Sequence, residues 1–170
     1  MPTKSIRILA GILLPALLAQ AASAHDIVRR SGSDLPIASS IKVPAGADWV
    51  FIGATLPRAT NPAAPAGSAD RLGDTAAQAR SVLEQVADEL GAHGFAMSDV
   101  VKMTVYLVGD PARDGVPDYT GLMSAYLRHF GQDSGGLPVR TTIQVAGLPV
   151  PGALVAIEVV AARGGDHAHD

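Results

Sequence analysis

The chain has 170 residues and no cysteine. That excludes disulfides, thiolate catalysis, Cys-based zinc sites and a lipid-anchored N-terminal cysteine. Aromatic residues are scarce, so the core has to be built from small aliphatic side chains packed closely. No basic run or stripe is present and the formal net charge is −3, which argues against nucleic acid as a partner. No Ser-His-Asp arrangement, Gly-rich phosphate loop or helical pair of metal ligands is visible. The length suits one domain with a real core, not two.

The N-terminus is different in kind. Met1 to Arg7 carries Lys4 and Arg7 without an acid. Ile8 to Leu18 is an apolar run of signal-peptide length, too short for a comfortable membrane span. Ala22-Ser23-Ala24 offers the small residues that a signal peptidase reads. Residues 1–24 are therefore read as a cleaved signal, with cleavage after Ala24, rather than as a membrane anchor. The expected location is periplasmic or secreted, with no membrane partner after cleavage. The mature chain would keep 11 basic against 16 acidic residues, a formal charge of −5.

From there the pattern alternates between strand and helix signals. Ile37 to Val43 reads as a weak edge strand, and Asp48 to Thr55 as a stronger one. Arg58 to Gly73 is a loop rich in Pro, Ala and Gly. Asp74 is a good N-cap. Ala79, Val82, Leu83, Val86 and Leu90 then share one helical face, with Gln78, Arg80 and Glu84 among the residues read as pointing away. Gly91 and Gly94 end that helix. Asp99 to Val108 is a β-branched strand. A second helix is expected from about Pro117 to Phe130, with Leu122, Ala125, Tyr126 and Phe130 buried. The strands Leu137–Val145 and Ala153–Ala162 close the domain around the breaker-rich joint Leu148-Pro149-Val150-Pro151-Gly152. Residues 25–163 form one domain and 164–170 a polar, flexible tail. The order is β-β-α-β-α-β-β. It predicts an α+β fold, one mixed sheet with both helices packed on one face. The strands are apolar on both faces, so self-association is expected.

Each closing strand holds one charge in an otherwise apolar or hydroxylic run, Arg140 in the first and Glu158 in the second. A buried charge costs several kcal/mol unless it is paired or used. Alternation puts Arg140, Thr142 and Gln144 on one face and Ala156, Glu158 and Val160 on one face. If the two strands pair as a hairpin, Arg140 and Glu158 project together. They would then form either a carboxylate-binding cleft with an acid to hold water, or an Arg–Glu pair across a subunit interface. His93 falls at a helix C-terminus and His129 on the second helix. His25, His167 and His169 lie near the ends of the mature chain. None is read as a metal ligand.

Several pieces, taken in order, resemble the RidA (YjgF) family. They are Gly53 before Leu56-Pro57, Ala77-Gln78-Ala79-Arg80, Asp99 to Leu107, Tyr126 to Phe130, Pro138-Val139-Arg140-Thr141-Thr142-Ile143-Gln144-Val145, and Ile157-Glu158. The resemblance runs from about Ala47 to Arg163. It implies a chorismate-mutase-like fold assembled as a homotrimer with sites in clefts between subunits. It also implies hydrolysis of reactive enamines and imines such as 2-aminoacrylate to a 2-keto acid and ammonia, without a cofactor. Arg140 matches the family's carboxylate-binding Arg. Glu158 matches the Glu that positions or activates water. Gly53 and Thr142 match positions whose backbone lines the site. The family's Gly-Pro-Tyr is replaced by Asp34-Leu35-Pro36-Ile37, its Ser-Gly-Gln by Ile52-Gly53-Ala54, an Asn of the second helix by Met123, and a frequent Cys by Thr142.

Overall fold

The computed structural model describes residues 26–32, 34–131 and 136–164. The expected signal segment 1–24 and the tail from residue 165 lie outside the described residues. Two short strands, β1 (Val28–Arg30) and β2 (Ser40–Lys42), come first, followed by β3 (Asp48–Thr55). Then follow α1 (Ala69–Leu72), α2 (Thr75–Ala92), β4 (Val100–Val108), α3 (Tyr119–Tyr126), β5 (Val139–Val145) and β6 (Val155–Arg163). The main sheet runs β3-β6-β4-β5, with β4 and β5 parallel and the other pairs antiparallel. This is the expected α+β architecture, a mixed sheet carrying its helices on one face.

Three departures from the sequence reading concern the strands and the long loop. The weak strand near Ile37–Val43 shrinks to β2 and does not join the main sheet. It pairs instead with β1. Arg29 explains why β1 stays: its Nη2 donates to the Ser98 carbonyl at 2.9 Å, tying the ribbon to the entry of β4. The Pro/Ala/Gly loop contains one helical turn, α1, whose Arg71 donates to the carbonyls of Pro62 and Ala64. Finally β5 and β6 do not pair. β4 inserts between them, because parallel pairing of β4 and β5 through α3 lets both helices stay on one face.

Helix α2 begins where its cap predicts, with the Asp74 carboxylate accepting from Ala77 N–H at 2.8 Å. Its apolar stripe Ala79, Val82, Leu83, Val86 and Leu90 is fully buried. The stripe packs on Met103, Val105 and Leu107 of β4 and Val155, Ile157 and Val159 of β6. Helix α3 ends at Tyr126, earlier than expected, and a turn carries the chain to the buried Phe130. His129 in that turn is half-buried, and burial lowers its pKa.

Gln78 was read as pointing away from the core, yet it is only 1% exposed. Its amide donates to the carbonyls of Gly73 and Gly152 at 3.0 Å each, and its oxygen accepts from Leu154 N–H at 2.7 Å. One side chain thus joins the start of α2 to the turn before β6. Replacing Gln78 with leucine leaves these backbone groups unpaired in the interior, each costing about 1–3 kcal/mol. Chemical denaturation of Gln78→Leu is expected to show a loss of about 3 kcal/mol or more, against under about 0.5 kcal/mol for a surface change such as Arg80→Gln.

The other face of the main sheet is bare in the single chain. Trp49 and Phe51 of β3 stack at 6.3 Å between ring centroids, and Phe51 is 75% exposed. Ile143 of β5 is also exposed there.

Candidate active site

Strand register decides where the two charges go. Arg140 of β5 stands beside Met103 of β4, which stands beside Val159 of β6. Met103 and Val159 belong to the core under the helices, so Arg140 projects to the helix face. Glu158 stands beside Thr104, which stands beside Thr141, one residue out of that row, so Glu158 projects from the bare face. The expectation that both charges share a face is therefore corrected. β4 separates the two strands by about 10 Å, and the side chains leave the sheet on opposite sides. One small substrate cannot touch both within a single chain.

Arg140 sits in a cradle made by α3. Its guanidinium lies over the Tyr126 ring, 4.3 Å from the centroid, and its Nη1 donates to the Met123 sulfur at 3.2 Å. Met123 and Tyr126 are three apart on the helix, so both reach the same spot. The Tyr126 hydroxyl donates to the Pro36 carbonyl at 2.7 Å, which fixes the ring. Burial pushes the Tyr126 phenol up to about 12, against the opposing effect of the neighbouring Arg140 charge. Burial lowers the Arg140 pKa, and a guanidinium starts so high that it stays charged. Among the described residues no carboxylate pairs with Arg140. A thioether and a ring face are weak partners for a half-buried cation, and they leave donors free for an anion. Thr142 follows on the same face, beside Val105. β5 is an edge strand, so part of its backbone around Thr142 is unpaired toward the outside.

Glu158 belongs to a second group. The register of β3 against β6 slips between Ile52 and Thr55, so Gly53 and Ala54 together oppose Glu158 in a bulge. Gly53 has nothing within 4 Å of where a Cβ would stand. The bulge opens a shallow cavity of about 340 Å3, lined by Phe51, Gly53, Lys102, Thr104, Glu158 and Val160. Tyr106 interacts with the Glu158 carboxylate, and burial together with that carboxylate raises the phenol's pKa. A larger polar cavity of about 410 Å3 continues around the outer edge of β3, between Gly53–Thr55 and Gln85 and Glu89 of α2 with His93 just after it. His93 lies 3.7 Å from Glu89 there. Among the described residues no three His, Asp or Glu side chains gather to hold a metal ion.

The four residues singled out from the sequence thus form two pairs. Gly53 and Glu158 meet at one edge of the sheet, and Arg140 and Thr142 at the other. Sequence reading missed Met123 and Tyr126 as the cradle of Arg140 and Tyr106 as the neighbour of Glu158. Spacing of three on a helix was the available signal for the first pair. The last needed the strand order.

A family model described as Endoribonuclease L-PSP matches residues 48–163. The chain belongs to that family. It is the RidA (YjgF) family of the sequence resemblance. A RutC family protein of Pyrococcus horikoshii is 34% identical over 89 residues, covering 52% of this chain and 63% of that protein. The 3-aminoacrylate deaminase RutC of Acinetobacter baylyi is 29% identical over 136 residues, covering 80% of this chain and 96% of that one. Among solved structures, Escherichia coli TdcF with bound serine superposes with a TM-score of 0.53 at 30% identity, covering 71% of this chain and 84% of TdcF. Members of the family thus carry names that denote deamination of reactive intermediates, and one binds a small amino acid.

Proposed function

We propose that this RidA-family chain hydrolyses small imine or enamine carboxylates to a 2-keto acid and ammonia, in clefts formed between copies of a cyclic homotrimer. The observation that carries the reading is the half-buried Arg140 guanidinium without an acidic partner among the described residues. A planar, permanently charged two-pronged donor suits a carboxylate. The enamine or imine carbon is already electrophilic once protonated, so the reaction requires no cofactor. Glu158 would hold the attacking water and accept its proton. Addition of water to the C=N carbon and loss of the nitrogen as ammonia leave the keto acid.

The two half-sites lie on opposite edge strands, β3 and β5. A head-to-tail association closes into a ring and brings the β5 edge of one copy against the β3 edge of the next. With the sheets meeting at an angle at that seam, Arg140 and Thr142 at the β5 edge of one copy would stand over the Gly53–Glu158 bulge of another, and the bare aromatic face would turn inward. This also gives the uncovered Trp49, Phe51 and Ile143 a reason to be there. Export through the N-terminal segment is part of the same proposal.

The test is to generate 2-iminopropionate in situ with an amino acid oxidase and follow keto-acid release. Wild type should accelerate release. Glu158→Gln should lower kcat about 100-fold with little change in KM, the usual scale for one general base. Equal rates with and without the protein would end the catalytic reading. A second reading, binding of a small carboxylate without turnover, draws on the apolar Gly53-Ala54 and on the Met123 contact. It would appear as thermal stabilisation by pyruvate or serine without ammonia release.

A further inference from the structure

Glu158 has a phenol beside it that neither the family comparison nor the four singled-out residues account for. Tyr106 pairs with Ala156 across the β4–β6 ladder, and Thr104 pairs with Glu158. Tyr106 and Glu158 are therefore diagonal neighbours on one sheet face, a separation that an aromatic side chain spans. The Tyr106 phenol and the Glu158 carboxylate are close enough to interact. Tyr106 also floors an apolar cavity of about 330 Å3 with Leu56, Val145, Leu148 and Ala156. Its ring thus borders one cavity, while the acid beside it borders the next. The Gly-Pro-Tyr expected from the resemblance near the N-terminus is absent, so no phenol comes from that segment.

We infer that Tyr106 is a positioning residue, whose hydroxyl fixes one oxygen of Glu158 and leaves the other for the attacking water. A carboxylate on a β-strand otherwise turns about its terminal bonds, and a second oxygen left loose lowers the fraction of time spent in the productive orientation. The donor is reliably protonated at neutral pH, because both burial and the carboxylate favour the neutral phenol. The other charged group facing Glu158 is Lys102, which lines the same cavity from β4. From β3 the facing residues are Phe51 and Gly53, which do not titrate.

This inference rests on the hydrolytic reading, and the experiment separates the two. Tyr106→Phe removes only the hydroxyl. It should lower kcat about 10-fold and leave KM within about twofold, since the base is less well oriented while substrate binding is untouched. Lys102→Gln distinguishes the contributions: if Tyr106 is the positioning group, Tyr106→Phe still lowers kcat in the Lys102→Gln background. Ultraviolet difference titration gives a readout independent of turnover. Glu158→Gln should bring one tyrosine ionisation to lower pH, and Tyr106→Phe should remove that ionisation. No turnover by wild type overturns both readings. Turnover with Tyr106→Phe matching wild type in kcat overturns this one alone. So does a tyrosine titration indifferent to Glu158→Gln.

Discussion

Arg140→Ala is expected to lower kcat/KM at least 100-fold and to abolish stabilisation by pyruvate. Two hydrogen bonds to an ionised partner are worth about 1.5–3 kcal/mol each. Losing a bidentate pair therefore removes about 3–6 kcal/mol, two to four powers of ten. Arg140→Lys should recover little of it, because an ammonium is a point donor and cannot lie flat on the Tyr126 ring. The fold should hardly notice. Arg140 has no acidic partner among the described residues, so no buried carboxylate is orphaned when it goes. Circular dichroism melts of Arg140→Ala should stay within a few degrees of wild type while ligand response disappears. A variant that keeps its ligand response would remove Arg140 from the site.

Phe51→Glu is expected to take the assembly apart. Phe51 is the most exposed large apolar side chain described, and it stacks on the single tryptophan, Trp49. Covering a phenylalanine contributes about 1.5–3 kcal/mol, and placing an unpaired carboxylate in the same spot costs several more. The change occurs in every copy of a ring. Sedimentation should show a trimer for wild type and a monomer for Phe51→Glu at micromolar concentration. Trp49 fluorescence should shift to longer wavelength as its ring meets water. Turnover should fall with the trimer, since each half-site would lose its complement. A monomeric variant that retains full activity would show that one chain holds a complete site.

Much of the fold could be read in advance because local chemistry and tertiary packing agree. The Asp74 cap, the Ala79–Leu90 stripe and the β-branched run of β4 each pointed one way, and the structure follows. The strand order was different in nature. β5 and β6 are joined by a breaker-rich turn, and a hairpin is the commoner outcome of such a joint. Nothing local says that β4 will lie between them. That long-range choice also decides which face each charge takes, so Arg140 and Glu158 could be recognised as unusual yet not placed. Gln78 failed for a related reason. Its three backbone partners come from the Gly73 turn and from Gly152 and Leu154, two of them more than 70 residues away. A polar residue beside an apolar stripe looks solvent-facing until those groups arrive. The family resemblance supplied roles for Arg140, Glu158, Gly53 and Thr142. The register then divided them into two pairs, which under the proposed function would be completed by a second copy of the chain.

Mixing two inactive variants tests this most directly. Arg140→Ala and Glu158→Gln are each expected to be nearly inactive as pure trimers. Denatured together in equal amounts and refolded, they should form mixed rings. Every mixed ring contains one cleft where an intact Arg140 of one copy meets an intact Glu158 of the next. Random assembly then restores about a quarter of wild-type activity. Recovery near that level is the predicted result. No recovery from mixed trimers, with their formation verified by mass, would mean that Arg140 and Glu158 act from the same chain, and would contradict the account.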